Sequence, residues 1–185
     1  MSLIRKLCIG AVALGMVASL GACASGARPD AMTVLPSTIQ IAQPTDFGHH
    51  GLKIANVNGG SSTNPLWTSQ VSTEDFRIAL EASLRGANYL GSTTDAPLSL
   101  TASLVDLKQP FAGLDMSVTS TVRYSVTDGA GQLVFDDTVS AVGTARMGEA
   151  FAGVERLRLA NEYSVRENIR SFIERFRRET ATRRP

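Results

Sequence analysis

The chain has 185 residues, 43% of them hydrophobic, with 18 basic against 17 acidic side chains. That length is ample for one packed domain, and the charge balance excludes the basic footprint of a protein that holds nucleic-acid phosphates. Two cysteines, Cys8 and Cys23, bound the thiol chemistry.

Arg5 and Lys6 precede an uncharged run from Leu7 to Leu20, interrupted by Gly10 and Gly15, and small residues follow up to Cys23. At 14 residues the run falls short of the roughly 20 that cross a bilayer, so residues 1–22 read as an export signal and not as a permanent anchor. Leu20-Gly21-Ala22-Cys23 resembles the lipobox of bacterial lipoproteins: an aliphatic residue, two small residues and cysteine. The resemblance implies a mature chain that begins at Cys23, with diacylglycerol on the thiol and an acylated amino terminus. Several acyl chains on one residue give stable membrane attachment. Ala24 follows the cysteine where enteric inner-membrane lipoproteins carry Asp, which by the same resemblance points to the outer membrane, with the domain facing the periplasm. The resemblance thus implies that Cys8 leaves with the signal and that Cys23 is acylated, which would leave the mature domain no thiol for a disulfide, a metal or a nucleophile. Losing Arg5 and Lys6 leaves 16 basic residues against 17 acidic ones.

Residues 23–37 begin Ala24-Ser25-Gly26-Ala27-Arg28-Pro29-Asp30 after the cysteine, small and polar with no apolar period. They read as a flexible tether that holds the domain on the order of 20 Å from the membrane. One domain is expected over 38–180, with a basic tail at 181–185. Thr38-Ile39-Gln40-Ile41 and Leu52-Lys53-Ile54-Ala55-Asn56-Val57 alternate as half-buried strands do. Gly59-Gly60-Ser61-Ser62 forms a loop. In the next stretch, Asn64-Pro65-Leu66-Trp67, the only tryptophan is a candidate partner contact, although an aromatic closing over the core is the plainer reading. Ser72-Thr73-Glu74-Asp75 suits a helix entry, with a hydroxyl cap and early acids. Phe76, Ala79, Leu80, Ser83 and Leu84 mark one helical face, and Gly86 suits the left-handed closing position.

Leu98, Leu100, Ala102 and Leu104 alternate with hydroxyl residues, as do Met116, Val118, Val122, Tyr124 and Val126. Asp128-Gly129-Ala130-Gly131 then turns the chain into a third strand over 132–145, making an antiparallel hairpin. Val154, Leu157, Asn161, Val165, Ile169, Phe172, Ile173 and Phe176 line one face of a long final helix. Arg158, Glu162, Arg166, Arg170, Glu174 and Arg178 fall on the other side, with Glu162/Arg166 and Glu174/Arg178 at ion-pair spacing. A one-sided sheet and two amphipathic helices bury each other's apolar surface. The fold class is α+β: a two-layer sandwich with a mostly antiparallel sheet of about four strands and both helices on one face.

The early strand, the helix ending Ala79-Leu80-Glu81-Ala82-Ser83-Leu84-Arg85-Gly86, the meander through Val122-Arg123-Tyr124-Ser125-Val126-Thr127-Asp128-Gly129-Ala130-Gly131 and the long closing helix resemble the YajG-type lipoproteins. They are similar, too, to the broader group of LptE-like and transporter-auxiliary lipoproteins. Arg156-Leu157-Arg158-Leu159-Ala160-Asn161-Glu162 and Arg166-Glu167-Asn168-Ile169 resemble the start of the closing helix in such proteins. The resemblance implies a noncatalytic, membrane-tethered role in binding or assembly and brings no catalytic residues or cofactor with it.

The chemical constellations are thin. His49-His50 lacks a nearby third ligand, and adjacent residues on extended chain point apart. Asp136-Asp137 in a strand also diverge. Gly59-Gly60-Ser61-Ser62 lacks the lysine and immediate helix of a phosphate loop, and no Gly-x-Ser-x-Gly elbow occurs. Candidate partner contacts are Trp67, Arg123 on the hydroxyl-rich strand face, and Arg177 and Arg178 at the basic end. From Arg166 onward, seven arginines stand against three glutamates. The plainer readings are a solvated sheet face and cations that suit a helix terminus. The expected function is binding of an envelope protein or lipid component, as an assembly or transport accessory without catalysis. A small-ligand or lipid carrier using the space between helices and sheet is the alternative.

Overall fold

The alternating and helical patterns become three helices and four strands in the computed structural model, which describes residues 25–62 and 69–183. The expected export signal, Cys23, Trp67, Arg184 and Pro185 lie outside the described residues. In chain order the elements are α1 (Pro29–Met32), β1 (Leu52–Gly59), α2 (Thr73–Gly86), β2 (Leu98–Lys108), β3 (Met116–Thr127), β4 (Leu133–Ala145) and α3 (Gly153–Thr180). The strands form one sheet in the order β1-β2-β3-β4. β2, β3 and β4 are antiparallel neighbours, whereas β1 runs parallel to β2 because α2 carries the chain back between them. Both longer helices cover one face, giving the α+β two-layer sandwich.

The periodicities explain the layers. In β3, Met116, Val118, Val122, Tyr124 and Val126 are buried, while Ser117 and Arg123 are exposed on the opposite face. α2 starts where the Ser72 hydroxyl accepts the Asp75 backbone N–H at 3.0 Å, and buries Phe76, Ala79, Leu80, Ser83 and Leu84. Its closing left-handed residue is Asn88 (φ 60°), not Gly86, which remains helical beside Pro36. Between the layers, Tyr124 stacks on Phe172 at 4.0 Å, and Phe135 meets Phe172 and Phe176 edge-on at 5.7 and 5.6 Å.

The amino-terminal half of the expected architecture needs two corrections. Thr38–Ile41 is not a strand: Pro36 opens a single 3-10 turn through Thr38, and β1 takes the sheet edge. Residues 27–34 of the expected tether are packed into the domain. Ala27, Met32 and Val34 are buried, and the Val34 N–H donates to the Ser83 hydroxyl at 2.9 Å. The reason is a small apolar set, Ala27, Met32 and Val34, that the groove between α2 and α3 can bury once the chain enters as α1.

α3 also departs from a simple two-faced helix. Arg158 and Glu162, expected outside, are buried, because the incoming segment lies over them. The four-residue ion pairs are accordingly Arg158–Glu162 and Arg170–Glu174, in place of Glu162–Arg166 and Glu174–Arg178. Arg166 instead donates to the Ala31 carbonyl at 3.0 Å. Where α3 crosses the sheet, its polar side chains bond directly to strand backbone. Ser164 Oγ accepts the Ser120 N–H at 2.8 Å and donates to the Ala141 carbonyl at 3.1 Å. The Asn168 amide donates to the Ser120 and Val139 carbonyls at 3.0 and 2.8 Å, while its oxygen accepts from Tyr124 Oη at 2.9 Å. All of these groups are buried, so each satisfied bond avoids the cost of a stranded polar atom.

Candidate functional site

The two ends of the sandwich differ in chemistry. At one end, the β3–β4 turn, the 43–51 loop and the carboxyl end of α3 enclose a recess of about 410 Å³. Phe47, Leu98 and Val134 supply apolar wall, and Asp46, His50 and Arg183 supply polar edge. The loop is shaped by left-handed residues, Gly48 (φ 78°) and His50 (φ 47°), and a Cβ on Gly48 would press within 3.1 Å of the Phe176 ring. This turn overturns the expectation that His49 and His50 point apart: their rings meet edge-on with centroids 4.2 Å apart. Most of the polar groups are already committed. Asp46 accepts the Gln43 N–H at 2.9 Å, and His50 Nδ1 lies 3.1 Å from the Leu90 carbonyl oxygen. Asp128 accepts the Ala130 and Gln132 N–H groups, closing the β-turn. Burial pushes the neighbouring Tyr89 hydroxyl up to about 12, with Asp46 adding to the rise.

Among the described candidate partner residues, Arg123 is not brought together with Arg177 and Arg178. Arg123 stands on the open sheet face and clamps Asp136 with two bonds of 3.0 and 2.8 Å. Across the same face Ser117 pairs with Thr144 at 2.8 Å and Thr121 with Ser140 at 3.1 Å. Cross-strand partners thus occupy these groups in the solvated surface. Asp137 turns the other way and accepts from Arg175 at 2.6 Å, as strand alternation requires. Arg177 and Arg178 lie in the last turn of α3, at the recess end.

Four carboxylates are held low by their partners. The Arg123 guanidinium holds Asp136 below the ordinary carboxylate range, and Arg77 and Arg158 do the same to Glu74 and Glu155. The Arg146 backbone N–H, then Tyr163, lower Glu149. These shifts run opposite to that of a general acid poised near neutrality. Among the described residues no group of three or more His, Cys, Asp or Glu side chains is arranged to hold a metal ion.

The other end carries an apolar tip that sequence reading did not single out. Phe111 and Phe151 are fully exposed, with Leu114 at 70% and Met147 at 58% exposure. The tip comprises the β2–β3 loop and the β4–α3 connection, joined where the Met147 N–H donates to Asp115 at 2.9 Å. A signal was present in single aromatics set among small residues, Pro110-Phe111-Ala112-Gly113 and Ala150-Phe151-Ala152-Gly153. Such runs have no period, so they score as loop and nothing more.

The entering chain belongs to this same end. Glu162 Oε1 accepts the Arg28 N–H at 3.0 Å and its guanidinium at 3.2 Å, and a short bond from Arg158 completes the clamp. From there Ala31 meets Arg166, and Leu35 and Thr38 lie beside Arg170, so the segment runs along α3 away from the tip. Followed backwards, the Ala27 N–H donates to the Gln70 carbonyl at 3.0 Å. The adjoining Ser69 carbonyl accepts at 2.9 Å from Gln109, two positions before Phe111.

Comparison with known proteins returns a likeness of fold. The chain is similar to a Xanthomonas campestris protein of the DUF330 family, with a TM-score of 0.56 and 7% identity over 76% of this chain and 91% of that one. It is also similar to a candidate lipoprotein from Caulobacter crescentus CB15, with a TM-score of 0.50 and 12% identity over 75% and 96% of the two chains. No family model matches the sequence, and no curated protein matches it.

Proposed function

We propose that the protein is a membrane-tethered, noncatalytic lipoprotein whose α+β domain faces the periplasm from the outer membrane and binds a protein or other envelope component. In this reading it serves as an assembly or transport accessory, in keeping with its resemblance to YajG-type and LptE-like lipoproteins. The observation that carries the reading is the path of the entering chain. Ala27 is buried and Arg28 is clamped, only four steps from Cys23, so lipid on that cysteine would hold the folded domain directly at a membrane. A fold shared with a candidate lipoprotein supports it.

Cell fractionation and intact mass test the anchor. The wild-type chain is expected in the outer-membrane fraction with acyl mass on its amino-terminal peptide, and Cys23→Ser is expected to lose both. Tight membrane association of Cys23→Ser without acyl mass would sink the anchor. Cross-linking of the lipidated protein in cells, followed by mass spectrometry, is expected to yield a reproducible envelope partner. Repeated recovery of the protein alone would overturn the accessory role.

The recess favours the carrier as a second reading, since about 410 Å³ with an apolar wall and a polar edge falls in the range of small-ligand sites. Its place is the end of the sandwich, because packed aromatic rings occupy the space between helices and sheet. Native mass spectrometry of the protein released from membranes distinguishes the readings: a reproducible small-molecule adduct favours the carrier, and an empty chain disfavours it.

A further inference from the structure

Phe111, Leu114, Met147 and Phe151 stand exposed together on two adjoining loops at the end of the sandwich. From the juxtaposition of this tip with the entry of the amino-terminal segment, we propose that it inserts into the lipid interface, giving the domain a second, non-covalent contact with the membrane that holds its lipid anchor. The inference rests on the anchor reading given above. Two observations choose a lipid surface as the occupant.

The first is reach. Four residue steps separate Cys23 from Ala27, and an extended chain covers at most about 14 Å in that distance. Ala27 is tied to the 69–70 backbone, to which Gln109 is also tied. Arg28 pairs with Glu162, and Arg158 bridges Glu162 to Glu155 in the first turn of α3. An acylated Cys23 therefore keeps the tip, and not the recess with Arg177 and Arg178, beside the bilayer. A tether of some dozen flexible residues would impose no such orientation; one clamped by Glu162 does.

The second is charge. Lys108 and Arg146 are balanced around the tip by Asp115 and Glu149. Both acids are occupied by backbone, Asp115 by the Met147 N–H and Glu149 by the Arg146 N–H at 2.7 Å. The apolar side chains thus project from a neutral rim. Interfacial insertion of this kind seats side chains about 5–10 Å into the headgroup and acyl boundary and draws on buried apolar area when the rim adds no net charge. Zwitterionic phospholipid suffices, and added salt leaves the contact in place.

Depth-dependent quenching tests the proposal on the intact, processed protein. The mature chain offers no thiol besides the acylated Cys23, so Gly148→Cys at the tip and Gly129→Cys in the β3–β4 turn each give one site for a bimane label. Both glycines have open space around them and neither needs a left-handed backbone. In phosphatidylcholine vesicles containing brominated lipid, the label at 148 is expected to be quenched at least about threefold more than the label at 129. Phe111→Ser with Phe151→Ser removes two fully exposed rings, and is expected to abolish most of that difference while circular dichroism and the acyl mass stay unchanged. Equal quenching at 148 and 129 in protein carrying the acyl mass would overturn the tip insertion and leave the anchor standing. An unmodified Cys23 would overturn the anchor reading and this orientation with it. If the label at 148 escapes brominated lipid yet cross-links to an envelope protein, the tip belongs to a protein partner and the lipid proposal fails.

Discussion

Glu162 has no exposed side-chain surface, yet it accepts from the Arg28 backbone N–H, the Arg28 guanidinium and Arg158. A buried carboxylate with these partners is costly to form and costlier to break, because removing one member strands the other charge. Glu162→Ala is expected to lower unfolding free energy by about 3 kcal/mol, since Arg158 is buried as well and keeps only Glu155. Arg28→Ala is expected to cost under about 1 kcal/mol for its ion pair, as the Arg28 side chain is 55% exposed and its backbone bond to Glu162 survives. Urea denaturation of the two variants against wild type checks the order; equal losses would show that the clamp is not what the burial implies. None of this was legible in the sequence. Arg158 and Glu162 read as a solvent face at helical spacing, and only the folded amino-terminal segment covers them.

At the scale of elements, the contact of α3 with β4 depends on small residues. A Cβ on Gly143 would fall 2.1 Å from the Ser164 nitrogen and 2.6 Å from the Ala160 carbonyl oxygen, both backbone atoms that cannot rotate away. Gly143→Ala is therefore expected to push α3 off the sheet, at a cost of about 3 kcal/mol or more. Gly129→Ala, with nothing within 4 Å, should stay within about 0.5 kcal/mol of wild type. Thermal melts of the pair check this, and a neutral Gly143→Ala would mean that the helix is free to move. The same crossing carries the Ser164 and Asn168 bonds to strand backbone. The strands and both long helices were legible because their apolar residues keep a period of two or of three to four. The polar seam was not, since serine and asparagine on a helix carry no sign of whether water or a strand carbonyl will satisfy them. Thr38–Ile41 failed for a related reason: four alternating residues cannot outvote a neighbouring Pro36 and an edge already filled by β1.

For the whole molecule, the segment after the expected lipidation site is part of the fold. Burial of Met32 and Val34 is worth about 1.5–3 kcal/mol each as an upper bound. A chain that begins at Pro36 is expected to unfold with at least about 3 kcal/mol less free energy than one beginning at Ser25, and to be cleaved faster by added protease. Urea titration and limited proteolysis check it; equal stability would return residues 25–35 to the role of a tether. Under the proposed anchor, this packing replaces a domain on a loose leash with one whose orientation follows from where α1 lies.

The sequence by itself determined the layers, because periodic apolar residues commit a strand or helix to one buried face whatever its partners are. It also carried the lipobox resemblance, a local property of a few adjacent residues. Tertiary structure alone decided where the entering chain is clamped, which polar residues are inside, and that the loops of Phe111 and Phe151 share an end with it. Those facts join residues far apart in the chain, and separation in sequence holds no record of contact in space.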